Sequence, residues 1–159
     1  TKEDWERFKY RQITWDVHRH TRTVPLLFDI DNMNRKIEHI THVTPRLHYP
    51  KFKSLLDRVS GVCEEVYGKG YLLRALLTEL KAKHNIDRHH DEGDNLARCK
   101  RVHMALITDP KCIFTVGDES KYMKPGELWE INNAGKKHLV QNQSDVDRVH
   151  LITDWVLDV

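Results

Sequence analysis

His89 and Asp91 lie two positions apart in the stretch IDRHHDEGDNLARCKRVH, Ile86 to His103. On an extended strand, where side chains alternate between faces, both point the same way with Cα atoms roughly 6.6 Å apart. One ion can be gripped by both. A third ligand has to come from far along the chain, and His138 is the candidate, in the closing stretch KKHLVQNQSDVDRVH, with Arg148 ten positions later. Two imidazoles and one carboxylate on one face of a metal leave the opposite positions open, as non-haem Fe(II) oxygenases require.

The dipeptide spacing alone says little. With 11 His and 24 acidic residues in 159, roughly 1.7 His-x-Asp/Glu matches arise by chance. The chain has two, His89-x-Asp91 and the overlapping His90-x-Glu92. Order and spacing of other residues add the information. I-x-x-H-x-D at Ile86 to Asp91, R-V-H at Arg101 to His103, V-G-D-E at Val116 to Glu119, M-K-P-G-E-L-W-E-I-N-N at Met123 to Asn133, H-x-V-x-N at His138 to Asn142 and D-R-V-H-L-I-x-D at Asp147 to Asp154 follow one another. In that order they resemble the aspartyl/asparaginyl β-hydroxylase and proline hydroxylase group of Fe(II)/2-oxoglutarate dioxygenases, from Thr78 onward.

The resemblance implies Fe(II) on His89, Asp91 and His138, with 2-oxoglutarate as co-substrate. It also implies that Arg148 clamps the far carboxylate, since a guanidinium offers two parallel donors in a planar fork. Arg101 and His103 match an R-x-H that helps bind the co-substrate, and Thr78 falls where the aspartyl hydroxylase branch has a serine with the same task. Asn132, Asn133 and Asn142 also match family positions, and turn or hairpin roles explain them equally. That branch has glycine where this chain has Asp91, so the full triad resembles the proline hydroxylase branch instead. The family's proline-glycine turn before the metal strand is Ala82-Lys83 here. His90 and Glu92 are out of phase with the triad and are expected to face away from the iron.

A chain of 159 residues reads as one domain, large enough to bury its apolar surface without a metal or disulfide staple. A metal here is therefore expected to be catalytic. Lys plus Arg (26) nearly balances Asp plus Glu (24) and the charges are scattered, which argues against a nucleic-acid surface. Cys63, Cys99 and Cys112 form no CxxC and no even-numbered framework, as expected in a reducing compartment. Thr1 to Arg11 is too polar for a signal peptide and no apolar run approaches a membrane span, so a cytoplasmic protein without membrane contact is the expectation.

Trp5, Phe8 and Gln12 share a helical face within a short N-terminal helix whose start is weakly specified. Gln12 to Val17 and Thr21 to Ile30 read as strands, the second with Pro25 marking an edge or a bulge. Asp31 to Tyr49 reads as loop bordering a substrate opening. From Pro50 to Tyr67, residues Phe52, Leu55, Leu56, Val59, Val62, Cys63, Val66 and Tyr67 repeat at helical spacing, between Pro50 in the first turn and Gly68 at the cap. This helix is expected to buttress the outside of a sheet.

Tyr71 to Leu80 fits a helix by spacing, but a strand buried on both faces also reads as a continuous apolar run; the resemblance decides for the strand. KRVHMALIT, CIFTVG, ELWEIN, HLVQNQ and RVHLITDWVL are further short strands, with turns at Asp109-Pro110, Asp118 to Ser120, Pro125-Gly126, Asn132 to Gly135 and Gln143 to Asp147. A hairpin over Ser144 to Asp147 is expected to lay the His138 and Arg148 strands side by side. The fold implied is mainly β with buttressing helices, a cupin-type jelly roll or double-stranded β-helix spanning 1–159, with N-terminal strands, loop and helix over 1–70 and the metal-binding core over 71–159. The expected activity is hydroxylation of an amino-acid side chain, free or in a peptide or protein, releasing succinate and CO2. The rivals are a non-catalytic metal-binding cupin and, disfavoured by the charge balance, a nucleic-acid demethylase.

Overall fold

The computed structural model describes residues 1–33 and 35–158. Short helices α1 (Lys2–Arg7) and α2 (Tyr10–Thr14) precede β1 (Thr21–Leu27), a long connection, α3 (Tyr49–Tyr67), β2 (Gly70–Leu80), β3 (Asn85–His89) and α4 (Asp94–Arg98). Then come β4 (Lys100–Ile107), β5 (Cys112–Val116), β6 (Glu119–Lys121), β7 (Leu128–Glu130), β8 (His138–Asn142) and β9 (Arg148–Leu157). The strands form two sheets, ordered β1-β2-β9-β4-β7 and β3-β8-β5-β6, antiparallel at every pairing. This is the cupin-type jelly roll.

Alternation explains how the larger sheet serves two purposes. Ala75 and Leu77 of β2, Val102 of β4 and Leu151 and Trp155 of β9 point outward and pack against Leu56, Val59 and Cys63 of α3. Burying a side chain of the size of Leu56 is worth about 1.5–3 kcal/mol, so this outer layer anchors the sheet. The opposite face carries Leu80 and Ala105 toward Ile86, Phe114 and Val140 of the smaller sheet. With apolar neighbours on both sides, β2 shows no alternation of hydrophobicity, which is why its helical spacing misleads.

Several expectations need correcting. Gln12 to Val17 is not a strand: α2 and a 3-10 turn over Asp16–His18 occupy it. The N-terminus is well specified, since the Thr1 hydroxyl and Asp4 form a reciprocal capping box. Val62 and Val66 of α3 are exposed, so the buried stripe is narrower than the apolar pattern. Glu119 and Ser120 belong to β6, leaving Gly117 and Asp118 as the turn. Finally, β8 and β9 do not pair; they lie in opposite sheets. The polar link between them crosses the sandwich, where Asn142 Nδ2 donates to Val146 O at 2.9 Å and to Lys81 O at 3.2 Å.

Three readings of strands and turns stand. β1 is an edge strand whose register shifts between Pro25 and Leu27. Pro50 sits in the first turn of α3 and Gly68 caps it at φ 99°. The Ala82-Lys83 turn places Lys83 at φ 61°. The three cysteines are free and buried. Among the described residues no helix is long and apolar enough to cross a membrane.

Candidate metal centre

In the pairing of β3 with β8, Ile86 faces Val140 and His89 faces His138. Ile86 and His89 are three positions apart and their partners two, so β3 carries one extra residue. A regular pleat would send Ile86 and His89 to opposite faces. The bulge instead lets both line the interior between the sheets, beside Val140 and His138.

Asp91 lies beyond the end of β3, and its neighbours set its position. Its N–H donates to Asn133 O at 2.9 Å, and Asn133 Nδ2 donates to Asp91 Oδ2 at 3.0 Å. One donor atom each from His89, Asp91 and His138 falls within 4.8 Å of the others. His89 Nε2 is 3.8 Å from Asp91 Oδ1, and the two imidazole centroids are 4.3 Å apart. A carbonyl can only accept, so His89 Nδ1 donates its proton to Asp87 O at 2.7 Å. That leaves the Nε2 lone pair free for a metal.

His138 is buried and its Nδ1 has no hydrogen-bond partner among the described residues. Burial pulls its pKa down to about 4, so the ring is neutral near pH 7. For Asp91, burial pushes the carboxyl up, but Arg101, His138 and Asn133 together hold it well below the usual range. Arg101 and Asn133 both bind Oδ2, which leaves Oδ1 on the His89 side. Two imidazoles with available lone pairs and one ionised oxygen suit a borderline cation such as Fe(II).

Behind this set, fully buried Asp154 accepts from Arg101 Nε at 2.7 Å, Arg101 Nη2 at 2.9 Å and Arg74 Nη1 at 3.0 Å. The register places Asp154 between Arg74 on β2 and Arg101 on β4. Arg101 is thereby fixed to aim at Asp91. His90 and Glu92 pair with each other at 3.4 Å on the exposed rim.

The interior beside the triad is lined by Thr78, His103, Phe114 and Arg148, with Arg11 and His18 entering from the N-terminal segment. Arg148 is 2% exposed, lies over the Phe114 ring at 5.7 Å and donates to His150 Nδ1 at 2.7 Å. Among the described residues no carboxylate pairs with it. Burial lowers its pKa to about 10, still charged near neutrality. His103, also buried and driven neutral, keeps Nδ1 without a partner among the described residues. A cation without an anion and a ring nitrogen without a partner mark a chamber suited to an acidic oxygen-rich ligand.

A family model described as aspartyl/asparaginyl beta-hydroxylase matches residues 5–157. The chain belongs to that family. No curated protein matches the sequence. Among solved structures, a 2OG-Fe(II) oxygenase family oxidoreductase from Burkholderia pseudomallei aligns with TM-score 0.63 and 14% identity, covering 87% of this chain and 69% of its own. A cupin domain from Schizosaccharomyces pombe gives TM-score 0.41 at 16% identity over 57% and 61%. A predicted oxalate decarboxylase from Thermotoga maritima gives 0.41 at 14% over 60% and 74%.

The sequence reading missed four residues of this hydroxylase-family site: Arg11, His18, Asn133 in its contact with Asp91, and Asp154. Asp154 carried a signal, an acid inside an otherwise apolar strand, which demands a buried cation. Arg11 carried none, because it lies on a helix of five residues, too short to display a period.

Proposed function

We propose that this protein is an Fe(II)- and 2-oxoglutarate-dependent dioxygenase that hydroxylates an amino-acid side chain, free or peptidyl. Membership of the hydroxylase family supports an oxidoreductase of this kind. The observation that carries the reading is the meeting of two imidazoles and an aspartate in one interior with Arg148, a buried guanidinium lacking an anion. Bound iron and 2-oxoglutarate would supply the oxidising power, activating O2 as the co-substrate becomes succinate and CO2.

The residues divide the remaining work. His89, Asp91 and His138 would hold the metal, with one donor atom from each. Arg148 takes the far carboxylate in its fork, with Thr78 adding a hydroxyl across the strand pair; Thr78 is the register partner of His150. His103 would help bind the co-substrate from β4, as would Arg101, which lines the same interior and keeps Asp91 ionised. Apolar walls from Ile86, Phe114, Val140 and Ile152 exclude water.

Release of CO2 from 2-oxoglutarate with added Fe(II) tests the reading. Activity abolished by Arg148→Ala, with the metal still bound, supports it. Metal binding without any CO2 release would assign the chain to the non-catalytic metal-binding cupins. Screening amino acids and short peptides for stimulated succinate production then identifies the substrate.

A further inference from the structure

Arg11 does not belong to the jelly roll, yet its guanidinium sits inside it. The residue projects from α2, where Nη1 donates to Thr78 Oγ1 at 3.2 Å and Nη2 to His18 Nε2 at 3.0 Å. Both acceptors are neutral: one is a hydroxyl, and a ring nitrogen that accepts from a guanidinium carries no proton. No carboxylate bonds to Arg11 among the described residues. Arg74 and Arg101, by contrast, share Asp154. A second guanidinium without a carboxylate hydrogen bond among the described residues therefore faces the metal interior, in addition to Arg148, with Asp91 and Asp154 acting on it only through space.

Its position is the informative part. Arg11 lines both the inner chamber, about 30 Å³, and a vestibule of about 390 Å³ that opens beyond it. The inner space is the smaller of the two, while the vestibule falls in the range of small-molecule sites. Tyr10, Trp15, Phe28, Met33 and Leu96 supply its apolar walls; of its acidic groups Asp16 and Glu92 are exposed and Asp91 belongs to the metal set, while its other guanidiniums, Arg74 and Arg101, are bonded to Asp154 and Asp91. Arg11 stands at the neck between the two spaces. Its present bonds to neutral groups are weaker than a bond to a carboxylate would be.

Resting on the dioxygenase reading, we infer that Arg11 is a second carboxylate receptor, separate from Arg148, and that it binds the carboxylate of the primary substrate lying in the vestibule. The substrate is then an acid with an apolar body, its reactive carbon brought to the metal from the neck. The same carboxylate chemistry could come instead from 2-oxoglutarate, so the test must separate the two sources.

The probes are N-acetyl amino acids spanning the apolar side chains, each beside its carboxamide, and 2-oxoglutarate. Binding to metal-free protein is followed calorimetrically, for wild type, Arg11→Gln, Arg11→Lys and Arg148→Gln. At least one N-acetyl amino acid should bind wild type about ten-fold more tightly than its amide, the scale of one charge-assisted hydrogen bond. Arg11→Gln should erase that ratio, Arg11→Lys should restore part of it, and 2-oxoglutarate affinity should stay within two-fold in both. No acid preferred over its amide, or a preference surviving Arg11→Gln, overturns the inference. A loss confined to 2-oxoglutarate also overturns it and makes Arg11 a second co-substrate clamp. Thermal melts check that each variant is folded, and Arg11→Lys serves if Arg11→Gln is not. Should the dioxygenase reading itself be wrong, Arg148→Gln will leave 2-oxoglutarate affinity unchanged, an outcome independent of the acid-to-amide ratio.

Discussion

Replacing Asp154 with asparagine probes what holds the centre in place. The carboxylate has no exposed surface and accepts hydrogen bonds from Arg101 at 2.7 and 2.9 Å and from Arg74 at 3.0 Å. Asparagine preserves the shape but removes the charge, and its amide nitrogen faces guanidiniums that can only donate. Removing one partner of a buried ion pair costs about 3–5 kcal/mol, because the other charge stays behind. Two charges stay behind here, though Arg101 retains Asp91. The expected loss is about 3–5 kcal/mol at pH 7, a large share of the roughly 5–15 kcal/mol typical of a whole domain. Urea unfolding of the metal-free protein should show it as a lower midpoint with an unchanged slope.

Acid adds a second check on the same variant. Burial pushes the Asp154 carboxyl up, but Arg101 and Arg74 hold it below its ordinary 3.8. Its stabilisation is therefore complete above that value and fades as pH falls through the lower, folded pKa. The gap between wild type and variant should be constant near neutrality and narrow on acidification below the ordinary carboxyl value. A loss under about 1 kcal/mol, the range of exposed pairs, or a gap that widens in acid, would refute the account of Asp154 as the counter-ion of both arginines.

Other perturbations have equally definite outcomes. Asp91→Ala should abolish stoichiometric Fe(II) or Mn(II) binding in calorimetry while the far-UV circular dichroism of the metal-free protein stays unchanged; unfolding would make the site structural. Arg148→Lys keeps the charge but loses the fork, so the apparent affinity for 2-oxoglutarate should fall about ten-fold or more. On α3, Leu56→Ala should cost about 2–5 kcal/mol in denaturant unfolding, whereas Val66→Ala, at an exposed position, should stay within about 0.5 kcal/mol. Lys83→Gly should raise stability by about 0.5–1 kcal/mol, because lysine pays for a left-handed backbone that glycine adopts freely.

What the sequence made legible was mostly local or tied to spacing. Turn residues and short apolar runs located the strands from β4 onward apart from β6, and Pro50 and Gly68 framed α3 within a residue. The triad could be named because His89, Asp91 and His138 are chemically distinctive and sit in ordered motifs. What escaped depends on three-dimensional pairing. Ten positions between His138 and Arg148 fit a hairpin as well as a crossing between sheets, and only the choice of partners, β3 and β5 against β2 and β4, separates them. Arg11 escaped for a related reason: a helix of five residues has too few turns to display a period, and its contacts lie 67 positions away at Thr78.

The additional residue in β3 makes this centre a matter of counting as much as of composition. Give β8 a matching extra residue between His138 and Val140, three steps against three, and every ligand would still be written in the chain while the sandwich kept its strands. The regular pleat would nevertheless carry both imidazoles to the outside of the sheet. A descendant with such an insertion would keep the full set of ligand letters and lose the metal set.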